Sequence, residues 1–474
     1  MLVVLAVLGS LACGGLPPPP SRGGPRWISL ESEHFVLYTD RDEAGARRAS
    51  AELERRLDAL LALGFQTQGK LRLKVQVILP DDQAQFERFA GDDVRGLYVP
   101  QMLFSPLMLL SPEQDNDSWM TLNHELTHFI ATQALGIQPL WLAEGLACYF
   151  ESVRDDPNGA FVLGAVPRHY LASLRRGLRM PVAELLHYDE PDPSESLYAN
   201  AWLLVHYLMS HHSAEFAAFQ SALASGRSAA ESWAEALPDL TPERLDALLE
   251  RYLQSGAYLN VSRQLPARTY SPGLRVLSDA DVYTLRAQLF AICSSCGDEA
   301  AAQVQENLRL ALASEPDHLS ASALSLLRDQ KPQPDAEART RKLVQAHPDD
   351  WLAWLLVARL QTGANGGAGC DAEVVPRLRA LAPNEPYGAM LAGLCELRAG
   401  HSTTALELSQ RAVQLQPWDS QLLLLRAAVL RTLGRCDELP PLVARLRAAP
   451  HAGKLAKQLA GLDTCKQTSS VSPP

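Results

Sequence analysis

The chain has 474 residues, more than one hydrophobic core usually organises, and its 47% hydrophobic content excludes a disordered chain and predicts two or three globular domains. Its formal net charge of −11, without any long Lys/Arg run, excludes the electrostatic footprint of a nucleic-acid binder.

Residues 1–15 form an apolar run too short to span a bilayer as a helix. The run ends in Ala12-Cys13-Gly14 and resembles a bacterial lipoprotein signal, in which the cysteine after a small residue becomes the lipidated first residue of the mature protein. That resemblance implies lipidation at Cys13, export to the cell envelope (periplasm or outer membrane), and membrane contact through the lipid anchor only. No Lys or Arg precedes the apolar core, and Ser10 stands where an aliphatic residue is usual, so a plain secretory signal and a buried apolar strand stay open. The Pro- and Gly-rich residues that follow read as a semi-rigid tether, completing a segment over 1–25.

From Trp27 to Asp40 the pattern alternates as a strand or hairpin; residues 44–63 have helical periodicity, and 71–79 alternate again as a strand. Asp81 and Asp82 open a short helix. Residues 96–112 are apolar with prolines at intervals, which suits an edge strand that an extended peptide could join by main-chain hydrogen bonds, or else plain core.

Next comes HELTH at 124–128. Two histidines four apart on a helix share a face and can reach one metal ion, with Glu125 beside them. A second block, WLAEGLACYFE at 141–151, begins after a proline as a helix with Glu144 in its first turn, and offers Glu144 as a third ligand beside His124 and His128. Cys148, Tyr149 and Phe150 read as core.

HELTH followed by Trp141-Leu-Ala-Glu144-Gly, with fifteen residues between His128 and Glu144, resembles the gluzincin metallopeptidases, the group that includes aminopeptidase-N-like enzymes and smaller bacterial peptidase MA-like domains. The resemblance implies an α+β thermolysin-like metallopeptidase domain over 26–260. It makes His124, His128 and Glu144 ligands of Zn2+, with Glu125 as general base for a zinc-activated water. It also implies an oxyanion donor on the helix around 196–209, with Tyr198 the first choice and His206 the reserve. The segment that reads a free substrate amine in aminopeptidases is missing, so endopeptidase action on a peptide or protein substrate is the expectation. Cys148 stands where several gluzincins carry an acidic group that orients a ligand histidine, so the source of that support is left open.

Residues 214–256 are alanine-rich and helical, and 261–280, with two prolines, read as a linker. Beyond it, prolines at 316, 348, 383, 417 and 450 recur at intervals of 32, 35, 34 and 33, the period of tetratricopeptide repeats. This predicts an all-α tetratricopeptide-like helical solenoid over 281–465, binding a protein partner, with a tail at 466–474. Its clearest copy runs from Pro386 to Pro417, with Gly393, Gly400, Ala405 and Ala412 at the small positions; Trp354 holds the aromatic position of the copy before. Of eight cysteines, six lie in this region, enough for up to three disulfides: Cys293 and Cys296 read as a local bridge in preference to a redox pair or half of a zinc site, while Cys370 with Cys395 and Cys436 with Cys465 are candidate pairs in a connectivity that the sequence leaves open. Two functions follow: a zinc peptidase whose repeats recruit its substrate or partner, or an inactive metalloprotease-like scaffold whose repeats mediate protein–protein interaction.

Overall fold

Alternating apolar residues between Ile28 and Leu110 build most of a six-stranded sheet in the computed structural model, which describes residues 16–65, 71, 73–91, 96–102, 105–112, 116–188, 194–293, 296–328, 335–363, 369–448 and 462. Cys13 and the 466–474 tail lie outside these residues. β1 (Ile28–Glu31) and β2 (Phe35–Thr39) form the hairpin, and β2, β3 (Val75–Leu79) and β5 (Ser105–Leu110) run parallel. Helices α1 (Glu43–Gly64) and α2 (Gln83–Ala90), capped by Asp42 and Asp82, fill the connections. Among the described residues β4 (Gly96–Met102) pairs antiparallel with β5 alone, so the stretch expected as one strand is two, with β4 at the sheet edge.

After the sheet come α3 (Asn116–Leu135), α4 (Leu140–Phe150), the short strands β6 (Arg154–Asp155) and β7 (Phe161–Leu163), α5 (Arg168–Arg175) and α6 (Val182–Leu186). They are followed by α7 (Glu195–His211), α8 (Ser213–Ala224), α9 (Ala229–Ala236) and α10 (Pro242–Ser255).

The stretch expected as a linker is a structural part of this unit. β8 (Val261–Arg263) joins β7, and β9 (Gly273–Val276) pairs antiparallel with β1 as the far strand of the large sheet. Its two prolines, Pro266 and Pro272, fall between the strands, and its polar residues are compatible with strands because both segments lie at edges and are largely exposed.

Because side chains alternate along a strand, both faces of a buried sheet need cover. Leu30, Leu37, Val77 and Met108 face a core completed by α1, α3, α4 and α7. Ile78, Leu107 and Leu109 face a second core, completed by Phe86 and Phe89 of α2 and by Leu285 and Leu289 of α11 (Asp279–Ile292). The first helix of the C-terminal half, expected from 281 to open the repeats, thus packs on the sheet as its second layer. The Pro-rich segment expected as a tether meets the same helix. Its free carbonyls and polar groups bind α11, with Arg286 donating to the Pro17 carbonyl and the Ser21 N–H donating to Asp279 at 3.1 Å.

The C-terminal half is mostly helical. Helices α12 (Glu299–Ser314), α13 (Leu319–Arg328), α14 (Ala336–Ala346), α15 (Trp351–Gln361), α16 (Val374–Leu381), α17 (Pro386–Arg398), α18 (Ser402–Leu415), α19 (Ser420–Thr432) and α20 (Leu439–Ala448) complete the series begun by α11. Helices α12, α14, α16 and α18 each end two residues before one of the periodic prolines 316, 348, 383 and 417, because proline cannot continue a helix. Helices α17 and α18 cross closely, a Cβ on Gly393 coming to 3.3 Å from the Ala405 carbonyl oxygen, and Gly400 turns the chain at φ +83°. Disulfides link Cys293 to Cys296 and Cys370 to Cys395; Cys436 is also disulfide-bonded, while Cys465 lies outside the described residues.

Candidate metal centre

Helix α3 places His124 and His128 on one face, one turn apart, with their Nε2 atoms 3.0 Å from each other. α4 brings Glu144 across from them. Its Oε2 lies 3.5 Å from His124 Nε2 and 3.6 Å from His128 Nε2. Glu144 is the fifth residue of α4, so it lies in the second turn, one turn later than expected. α4 can reach this position because it crosses α7 at Gly145, where a Cβ would lie 2.7 Å from both the Ala201 carbonyl oxygen and Val205 Cγ2. Only glycine permits that approach, which gives the Glu-Gly pair of the second block a physical reason.

The three side chains fit a metal ion. Their ligand atoms all lie within 4.8 Å of one another. Two neutral imidazole nitrogens 3.0 Å apart can share only one proton on that line, and an ion can take its place. Glu144 Oε2 is buried and makes no hydrogen bond among the described residues, leaving an orphaned carboxylate oxygen for a cation to satisfy. Burial would raise the Glu144 pKa, but His124 and His128 outweigh it and hold the group at about 2, ionised as a ligand must be.

A second grouping, His124, Cys148 and Glu151, shares His124. Its chemistry is different. Burial, reinforced by the Glu151 charge, pushes the Cys148 thiol up to about 12, so it keeps its proton, and its Sγ lies 3.1 Å from the Tyr170 hydroxyl. Glu151 instead supports a ligand: its Oε1 lies 2.7 Å from His124 Nδ1, which fixes the ring so that Nε2 faces Glu144 and His128. The Tyr170 hydroxyl donates to both Glu151 oxygens, at 3.1 and 3.2 Å. Glu151 is thus the acidic support that the sequence left open. The signal was present, because Glu144, Cys148 and Glu151 follow at i, i+4 and i+7 and share one helix face.

Glu125 sits inside the same cluster. Burial raises its pKa; the histidines pull it down, and Glu144 and Glu151 push it up. Tyr98, on the edge strand, is raised by burial and by the Glu125 charge, and β4 itself packs against α3. The position expected for a peptide-pairing edge therefore borders the histidine helix.

The two candidate oxyanion donors separate. Tyr198 stands with its ring centroid 6.4 Å from that of His124, and burial, with the Glu144 charge, pushes its hydroxyl up to about 12, so it stays a proton donor at neutral pH. His206 is fully buried and has both ring nitrogens engaged, Nδ1 by the Tyr252 hydroxyl at 2.9 Å and Nε2 by the Gly164 carbonyl at 3.1 Å. It is a core histidine, and burial lowers its pKa.

Residues 118–228 are similar to a family model described as a protein of unknown function, DUF1570. That span contains His124, Glu125, His128, Glu144, Glu151, Tyr170 and Tyr198, and excludes Tyr98 and all of the C-terminal half. No curated protein matches the chain.

Proposed function

We propose that the protein is a zinc-dependent peptidase, held at the bacterial cell envelope through Cys13, whose thermolysin-like domain cleaves peptide bonds within a chain and whose tetratricopeptide-like repeats engage a protein substrate or partner. The observation that carries this reading is the convergence of two imidazoles and one carboxylate with a further carboxylate, Glu125, that no ligand set requires.

His124, His128 and Glu144 would hold the metal, and two nitrogen donors with one oxygen donor suit zinc. When bound, zinc supplies Lewis-acid activation of water and of the scissile carbonyl. Glu125 takes the proton of the attacking water on a carboxylate oxygen and passes it to the leaving nitrogen. Tyr198, which keeps its hydroxyl proton, donates to the oxyanion of the tetrahedral intermediate. Glu151 holds His124 in orientation throughout. The free edge of β4 offers backbone groups for an extended substrate.

The disulfides of the C-terminal half support export to an oxidising compartment. No helix among the described residues is long and apolar enough to cross a membrane.

The test measures zinc in purified full-length protein, then cleavage of unfolded casein by wild type and Glu125→Gln. Stoichiometric zinc in both, with cleavage only by wild type, is expected. A protein that binds no zinc and cleaves nothing would sink the peptidase and leave the scaffold reading.

A further inference from the structure

The cleft beside the metal site is not built by the catalytic unit alone. On the side of His128 and Tyr98 lies a cleft of about 330 Å³, and its opposite wall is the turn between α18 and α19, through Gln416, Trp418 and Ser420. The turn is held in place from two directions. Ile137, in the loop between α3 and α4, packs into the core of α17, α19 and α20, around Met390, Leu422 and Leu446. Asp419 fixes the shape of the turn: its Oδ2 accepts from the Tyr387 hydroxyl at 2.6 Å and Gln416 Nε2 at 3.0 Å, and its Oδ1 accepts from the N–H groups of Gln421 and Leu422 at 2.8 and 3.0 Å.

Gln138 brings an unmatched acceptor to the cleft. Gln138 is 7% exposed, it lines the cleft, and its Oε1 is buried without a hydrogen bond among the described residues. A buried acceptor left empty costs free energy, so its retention calls for a donor brought by a ligand. The remaining polar lining is amide and hydroxyl apart from the His128 imidazole, which belongs to the metal centre, and the one carboxylate of the turn, Asp419, already has four donors. An ionised acidic side chain has no proton to donate to Gln138 Oε1 and would meet Asp419, and a basic one would find no free carboxylate in the lining.

Resting on the peptidase reading above, we infer that Gln138 and the 416–421 turn form a specificity subsite that receives a neutral, hydrogen-bond-donating side chain, Asn or Gln above all, of an extended substrate. The helical C-terminal half is then part of the substrate cleft and selects the sequence that reaches the metal.

The experiment uses zinc-loaded, full-length Glu125→Gln protein and fluorescein-labelled octapeptides, random except for one central position fixed as Asn/Gln, Asp/Glu, Lys/Arg or Leu/Phe. Binding is read by anisotropy. The Asn/Gln set should bind about fivefold tighter than the Asp/Glu set, the size expected of one neutral hydrogen bond, and Gln138→Leu in the same background should abolish the difference. Ser420→Trp, which fills the cleft from the opposite wall, should weaken every set by about tenfold, with zinc content and melting temperature unchanged. Discrimination that survives Gln138→Leu, or binding untouched by Ser420→Trp, overturns the subsite. Absence of binding to every set overturns it too; Glu125-dependent cleavage of casein by the wild-type protein, measured alongside, then decides whether the peptidase reading falls with it.

Discussion

Replacing Glu151 should loosen the metal before it loosens the fold. The carboxylate is 9% exposed and has two partners at Oε1, His124 Nδ1 at 2.7 Å and the Tyr170 hydroxyl at 3.1 Å. Glu151→Gln keeps an acceptor oxygen for both and removes only the charge. Glu151→Ala leaves His124 Nδ1–H buried with no acceptor, while Tyr170 keeps its contact with Cys148. Groups that orient a ligand histidine typically carry about 10- to 100-fold in metal affinity, or about 1.4 to 2.7 kcal/mol. The partners rank the two variants: Gln near the lower end of that range, Ala near the upper. Stability of the metal-free protein should fall by about 1–3 kcal/mol in the Ala variant, the cost of one unsatisfied buried donor. Competition for zinc against a chromophoric chelator gives the affinities, and urea unfolding of the metal-free proteins gives the stabilities. An Ala variant within twofold of wild type, or a Gln variant weaker than Ala, would refute the assignment of Glu151 as the support of His124.

Three further outcomes follow from the same geometry. Gly145→Ala puts a Cβ 2.7 Å from the Ala201 carbonyl; overpacking of about 1–3 kcal/mol should outweigh the roughly 1 kcal/mol that alanine gains in helix propensity, so a thermal melt should show a lower midpoint, with weaker zinc binding because Glu144 is adjacent. Tyr198→Phe should lower kcat about 100-fold with zinc affinity unchanged; an unchanged kcat would assign Tyr198 to packing alone. Asp281 is held well below the usual carboxylate range: burial would raise it, but contacts from His318, Arg275 and the Ser278 N–H prevail. Its contribution is therefore present above the unfolded pKa of about 4 and lost as pH falls through the lower folded value. Asp281→Asn should reduce stability at neutral pH and flatten the acid limb of stability against pH, measured by urea unfolding; a parallel downward shift at every pH would contradict it.

Elements governed by local periodicity were legible in the sequence. The helices of the C-terminal half end where the proline spacing places them, and the small residues of the Pro386–Pro417 copy fall at the α17–α18 crossing. The two histidines and Glu144 were legible because helix geometry dictates which residues share a face. Segments whose structure depends on partners far away in the chain were not. β8 and β9 are short, exposed edge strands whose pairing comes from β7 and β1, so nothing in their own composition distinguishes them from a linker. α11 reads as the first helix of a repeat array, yet its apolar face is needed by the second side of the sheet. Glu151 escaped notice because the expected position for an acidic support was four residues after Glu144, and this chain supplies the carboxylate one helical turn later on the same face.

The loop between the two ligand helices shows why spacing carries more than distance. Gly136 ends α3 with φ +74°, a conformation that disfavours any side chain, and its N–H closes the last turn on the Thr132 carbonyl at 3.2 Å. Ile137 points into the core of the C-terminal helices, Gln138 faces the cleft, and Pro139 stands at the N-cap of α4 without donating an N–H that the helix start would leave unpaired. Four consecutive residues thus stop one ligand helix, anchor the opposite wall, present an acceptor and start the other ligand helix. An insertion here would shift Glu144 relative to His128 and, in the same step, displace Ile137 from its pocket. The interval between the two blocks is therefore constrained twice, by the ligand set and by the wall that faces it.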